Sequence, residues 1–353
     1  MEKTRYNVIG VMSGTSLDGI DFAHVTFDFK DGKWTFSIHE AETAAYSDDM
    51  LRRLRTAITL PPADLSALNL DYTLYLSNCI CRFLKRHHIS RPDAICSHGH
   101  TVLHQPADGI TLQIGNLPEI KTHIKAPVVC DFRVQDVRLG GQGAPLVPIG
   151  DKLLFPEYTY CLNLGGFSNI SFDIPNRRIA FDISPVNTVL NHYAQAAGRD
   201  FDDGGSLASS GTVDANLLEQ LDRNPYYRKT FPKSLGFEFV LSEVLPLLDD
   251  SGLAVENILC TYCEHIARQI ARALPQKTGR MLITGGGAYN LYLIDRIQAA
   301  LPEVEIVVPE SKIIEFKEAL IFAFLGVLRL RGENNVLSSV TGARQDHCSG
   351  VIF

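Results

Sequence analysis

No stretch of this 353-residue chain approaches the roughly 20 consecutive apolar residues that a membrane span requires, and the opening MEKTRYNVIGVMSG is too poor in apolar residues for a signal-peptide core. A cytoplasmic protein without a membrane partner is expected. Positive charge is also short: 33 Lys and Arg stand against 40 Asp and Glu, a net charge of −7, whereas phosphate backbones are bound by basic surfaces. No nucleic-acid partner is expected. Small anions need only local donors, so they stay open as ligands. There is no Walker run of Gly, four residues and Gly-Lys-Ser/Thr opening a helix, so any nucleotide phosphate must be gripped in another way. A disorder signal is missing too, because 45% hydrophobic and 21% charged residues make an ordinary globular balance. The eight cysteines are scattered through apolar segments of a chain too large to need staples, which predicts reduced core thiols.

What the chain has is a repeated grammar of strand and small-residue turn. Val8 to Val25 is an apolar strand, a turn carrying Gly14, Thr15, Ser16, Leu17, Asp18 and Gly19, then Asp21 at the head of a second apolar strand. A hairpin tip of Gly, Ser and Thr offers backbone N–H groups and hydroxyls with little bulk, so phosphate oxygens can approach the main chain. The same pattern returns at 160–174, with Gly165, Gly166, Ser168 and Asn169. Two such units imply two related domains. Alternating strands and helices place both in the α/β class, and the Gly/Pro-dense LGGQGAPLVP (139–148) is the expected junction. The division predicted is 1–138 plus 333–353 for one domain and 139–332 for the other. A third glycine cluster, Gly285, Gly286 and Gly287, follows a strand and precedes a helix, where only glycine lets backbone lie flat against a nucleoside.

Candidate chemistry gathers at strand ends. Asp182 closes the strand IAFD, and Ser184 before Pro185 is the better candidate to cap the following helix, which frees the Asp182 carboxylate to act as a base. Ser97, His98 and Thr101 stand at another predicted strand end as substrate hydrogen-bonders. His98, His100 and His104 invite a zinc reading, as does Cys260-x-x-Cys263, but neither brings a further ligand set. Arg133, beside the junction, can fork an anionic group or pair structurally with Asp136. Glu318 is the one charge on an otherwise apolar helical face, either a solvated flank or a site carboxylate.

Taken in order, VMSGTSLDGID (11–21), TLQIG (111–115), GGQGAPLVP (140–148), LNLGGFSNIS (162–171), GGGAYN (285–290), EALIFAFL (318–325) and VTGA (340–343) resemble the anhydro-N-acetylmuramic acid kinase family over nearly the whole chain. The resemblance implies a two-domain actin-like ATPase fold of the ribonuclease H-like type, shared with sugar kinases and heat-shock chaperones. Each domain would be a five-stranded mixed sheet flanked by helices, with ATP in the interdomain cleft. It further implies a homodimer, an anhydro-sugar substrate, Asp182 activating water, and Glu318 holding water or sugar. Ser97, His98, Arg133 and Asn187 would bind the sugar, and the three glycine clusters with Asn169 would hold ATP. Mg²⁺ is implied with the phosphates. This chain departs from the family in having Ser184-Pro185-Val186-Asn187 where Gly-Pro-Gly-Asn is common, and His100 where Gln is usual. Met12 and Asn163 stand where the superfamily carries an acidic residue in each hairpin, so metal ligation is expected to run through water, or through Asp18 or Asp21.

Overall fold

A computed structural model describes residues 3–353. The chain divides into two compact units, one of residues up to Phe155 together with Phe316–Phe353, the other Pro156–Glu315. Residues 139–155 and 316–332 thus belong to the first unit, whereas the sequence placed 139–332 in the second. Part of the reason lies in Asp136, whose buried carboxylate accepts the Gly143 N–H at 2.7 Å and ties the Gly-rich segment to the first unit.

In the first unit β1 (Arg5–Ser13), β2 (Ile20–Lys30) and β3 (Lys33–Ala44) form an antiparallel meander. The strand β4 (Ala94–Gln105) then runs parallel to β1, β5 (Ile110–Ile114) folds back on β4, and β6 (Val128–Cys130) lies parallel to β4. Val8, Ile9 and Val11 of β1 are all buried, as a central strand covered on both faces requires. The helix Pro62–Arg86 opens on proline and presents Leu65, Leu68, Tyr72, Leu76, Ile80 and Phe83 at helical spacing to one face. On the other face lies the helix Ser311–Arg331, and it comes unusually close: a methyl on Gly10 would sit 1.9 Å from the Ala319 carbonyl oxygen.

The second unit repeats the plan. β7 (Tyr160–Leu164), β8 (Phe167–Ile174) and β9 (Arg177–Pro185) make a meander, β10 (Gly279–Thr284) runs parallel to β7, and β11 (Val304–Val307) runs parallel to β10. The order β11-β10-β7-β8-β9 matches β6-β4-β1-β2-β3 strand for strand and direction for direction. Helix Val255–Ala273 buries Ile258, Tyr262, Ile266 and Ile270 in this unit's core. The chain ends in β12 (Val351–Ile352), which pairs with β6 antiparallel as an added edge of the first sheet.

Three local expectations change. The first sheet has seven strands, not five, because β4 runs on past His98 into a hairpin with β5 and because β12 adds an edge. The helix after Asp182 is Asn187–Ala196, and neither Pro185 nor Ser184 opens it. Ser184 is instead buried in β9, its N–H bonded to Ser168 Oγ at 3.1 Å. All eight cysteines are free thiols, six of them buried. Among the described residues no helix is long and apolar enough to cross a membrane.

Candidate active site

In the second unit a row of polar residues crosses the sheet. Register places Thr284 of β10 beside Asn163 of β7, Asn163 beside Asn169 of β8, and Asn169 beside Asp182 of β9. Paired residues share a face, so these four stand together. Asp182 is held tightly for a half-exposed side chain. The Leu235 N–H donates to its Oδ2 at 2.9 Å, its own N–H donates to the Lys233 carbonyl at 3.3 Å, and its carbonyl accepts Tyr226 Oη–H at 2.7 Å. Burial raises the carboxyl pKa, and the Leu235 hydrogen bond only partly offsets this. The segment 226–235 carries no sequence signal for that role.

The glycines here have separate tasks. Gly285 adopts φ +83°, and a methyl on it would lie 2.6 Å from Asn163 Oδ1 and 2.8 Å from the Leu164 carbonyl. Gly287 is as tightly packed, 2.7 Å from Leu164 Cβ, while Gly286 has only Asn187 Nδ2 at 3.5 Å and stays open. The turn of the second hairpin serves as a cap, since the Gly165 and Gly166 carbonyls accept the N–H groups of Asn187, Val186 and Thr188. Asn187 adds a bond from Nδ2 to the Leu164 carbonyl at 3.2 Å.

The first unit assembles Arg133, His98 and Glu318. Arg133 Nε donates to His98 Nε2 at 2.8 Å, Nη1 donates to the Gly143 carbonyl at 2.6 Å, and the guanidinium lies 6.0 Å from the Phe322 ring centre. Since Nε2 accepts, His98 carries its proton on Nδ1, which bonds the Gly99 carbonyl at 2.9 Å. Burial, with the Arg133 charge beside it, holds the His98 pKa well below its ordinary value. Burial likewise lowers Arg133 to about 10, opposed by Glu318 and Asp136. Glu318 is reached by solvent yet crowded by protein, and desolvation raises its carboxyl pKa against the pull of Arg133.

Ser97 and His98 are both buried, and the Ser97 hydroxyl accepts the Gly99 N–H at 3.2 Å, so in this structure they brace the strand and Arg133. Arg133 makes its bonds to His98 and Gly143, and Asp136 turns instead to Gly143 and Thr341. The three histidines do not converge: His98 meets Arg133, His100 Nδ1 meets Ser13 Oγ at 2.8 Å, and His104 Nδ1 meets Thr111 at 3.1 Å. In the first hairpin Thr15, Ser16 and Asp18 are exposed, and Leu17 turns the chain at φ +62°. Asp21 is half-buried and accepts the Thr43 hydroxyl at 2.6 Å. Among the described residues no group of three His, Cys, Asp or Glu side chains gathers as a metal site, so any Mg²⁺ held here would draw on Asp21 or Asp18 together with phosphate oxygens and water.

A mixed sheet that occurs in each unit, with glycine turns at its strand ends, is compatible with an enzyme that handles phosphate, and the comparisons with known proteins give the class: an ATP-dependent sugar kinase. The chain belongs to the anhydro-N-acetylmuramic acid kinase family, whose profile matches residues 6–353. It is 36% identical to the anhydro-N-acetylmuramic acid kinase of Gloeobacter violaceus, with 95% of each chain covered. It is 35% identical to that of Pseudomonas fluorescens, with 98% of each covered. Among solved structures it aligns with the ADPNP-bound activator of 2-hydroxyisocaproyl-CoA dehydratase from Clostridium difficile at 14% identity and a TM-score of 0.44, covering 90% of this chain and 92% of that one.

Proposed function

We propose that the enzyme opens the 1,6-anhydro bond of anhydro-N-acetylmuramate with water and phosphorylates O6 from ATP, giving N-acetylmuramate 6-phosphate and ADP in peptidoglycan recycling. The observation that carries this reading is Asp182, fixed at Oδ2 by a backbone donor while burial raises its pKa, as suits a general base. Asp182 takes a proton from water as the water oxygen bonds to C1. The C1–O6 bond breaks, and O6 takes the γ-phosphoryl group as ADP leaves. The leaving oxygen is captured by phosphorus, so no separate acid is needed.

Glu318 orients water or sugar, and Arg133, with His98 fixing its plane, presents cationic donors to the anionic sugar. Asn187 lies beside the same sugar. Gly14 to Gly19, Gly165, Gly166, Asn169 and the 285–287 triplet hold ATP. Mg²⁺, when bound, neutralises charge on the phosphates. Asp21 is the better-placed ligand for it, because Thr43 already orients its carboxylate.

Asp182→Asn tests the assignment, because it keeps the Leu235 contact and removes the base. ADP release with the anhydro sugar should fall by roughly 10²–10⁴-fold, and wild-type release would sink the mechanism. Running levoglucosan and the anhydro-glucosamine analogue alongside the anhydro sugar reads which anhydro sugar the enzyme prefers.

A further inference from the structure

Behind Asp182, on the opposite face of β9, the second unit holds a cavity of about 250 Å³. Side chains alternate along a strand, so Phe181 and Ile183 line this cavity while Asp182 points away from it. Four cations line it: Arg228, Lys229, Lys233 and Arg272. Of the described residues, none of those lining it is acidic. In a chain of net charge −7 that concentration is out of keeping with the whole.

The charges are poorly compensated. Arg228 and Lys229 make no ion pair among the described residues, and Lys233 Nζ lies 4.6 Å from the Tyr226 ring centre and 5.5 Å from that of Phe181. Burial and the neighbouring Lys229 charge lower the Lys233 pKa, which is the mark of cations crowded without a counter-charge. Arg272 has a partner, Asp222 at 3.1 Å, but that carboxylate is shared with His265, Gln269 and Arg268. Asp222 belongs to an adjoining cavity of about 490 Å³, where Arg223 and Arg268 join Arg228 and Arg272.

We propose that the cavity bounded by Arg228, Lys229, Lys233 and Arg272 is a binding site for a small oxyanion, a phosphate ester or a carboxylate, separate from the site at Asp182. Guanidinium and ammonium groups bind such anions through charge-assisted hydrogen bonds, and Phe181 and Phe231 add an apolar wall for a carbon skeleton.

Calorimetric titration of the full chain in chloride buffer with inorganic phosphate, glucose 6-phosphate and acetate tests this without any reliance on turnover. Saturable phosphate binding is expected, weakened about tenfold or more in Arg228→Ala/Lys229→Ala. Thr230→Asp, which sets a carboxylate among the cations without removing a side-chain contact, should weaken it likewise. The two organic probes separate a phosphate-ester ligand from a carboxylate one. Asp182→Asn should bind phosphate as the wild type does. Undiminished binding in both cavity variants, no binding in the wild type, or loss of binding in Asp182→Asn overturns the proposal.

Discussion

Gly10→Ala adds one methyl at the closest approach between β1 and the helix Ser311–Arg331. The new carbon would lie 1.9 Å from the Ala319 oxygen, 2.8 Å from the Ala319 carbonyl carbon and 2.9 Å from Ala323 Cβ. Real Cβ atoms essentially never come within 3.0 Å of a neighbour, so strand and helix must part by at least 1.1 Å. Two of the three atoms are backbone, and no rotamer change relieves them. Overpacking of this kind costs about 1–3 kcal/mol. At about 2–4 °C per kcal/mol for a unit of this size, the melting temperature should drop by roughly 2–12 °C. The shift also moves Glu318, one residue before Ala319, and a 1 Å misplacement of a site group can cost on the order of 10²-fold in rate. Differential scanning fluorimetry and ADP release at saturating sugar and ATP read the two effects. Gly14→Ala is the stability control, because its nearest neighbour is Ser16 Oγ at 3.4 Å. If Gly10→Ala melts within about 1 °C of the wild type and turns over normally, the helix does not seat Glu318 through this contact and the reasoning fails.

Asp136→Ala should cost about 2–6 kcal/mol in chemical denaturation, since the Gly143 N–H and the Thr341 hydroxyl each lose a buried acceptor at 2.7 Å. Asp136→Asn, which keeps an acceptor oxygen, should cost less, and equal losses would discount those bonds. Crowding by protein raises the folded pKa of Glu318, though solvent reaches and screens the carboxylate, so its ionised form carries a small stability cost at neutral pH that is relieved as pH falls towards the raised value. Glu318→Gln should therefore melt higher than the wild type at pH 7.5, with a margin that shrinks on acidification, while turnover drops. A lower melting temperature at pH 7.5 would contradict this. His100 runs the other way: burial lowers it from 6.5 to about 4, so its contribution is full above pH 6.5 and is lost as pH falls towards 4. His100→Gln should flatten the acid limb of the stability curve by about 3 kcal/mol, and an unchanged limb would show that the imidazole is not the group being protonated.

The elements that could be read in advance are those written in local chemistry. Apolar alternation and glycine turns marked β1 with β2 and β7 with β8, and the doubled strand order explains why the same grammar appears twice. Features set by distant parts of the chain could not be read. The partner of the Asp182 carboxylate, Leu235, lies 53 residues on. The strand β4 continues through Gly99 at φ +76°, a residue that reads locally as a stop, because β5 is there to pair with it. Ser184 looked like a helix cap because Ser before Pro is a good one, but β8 claimed it first.

The two hairpin turns show how far local grammar determines a role. Both are small-residue turns at a strand end, yet among the described residues it is the second whose carbonyls accept N–H groups at the start of a helix. The Gly165 carbonyl accepts the Asn187 N–H at 3.2 Å, and in a planar trans peptide the N–H of Gly166 must then point away from that helix. The Gly166 amide is thereby aimed before any anion arrives, and the helix pays its orienting cost. Among the described residues no helix N–H bonds the first turn: Leu17 packs against the first unit's core, but Thr15, Ser16 and Asp18 are exposed, and the bond from Leu17 N–H to the Gly14 carbonyl, at 3.3 Å, is long. If both turns hold phosphate, the first must lose more conformational freedom on binding than the second. Amide hydrogen exchange should then slow on ADPNP addition across residues 14–19 far more than across 165–167. Equal protection in the two turns would mean that the helix cap is incidental to phosphate binding.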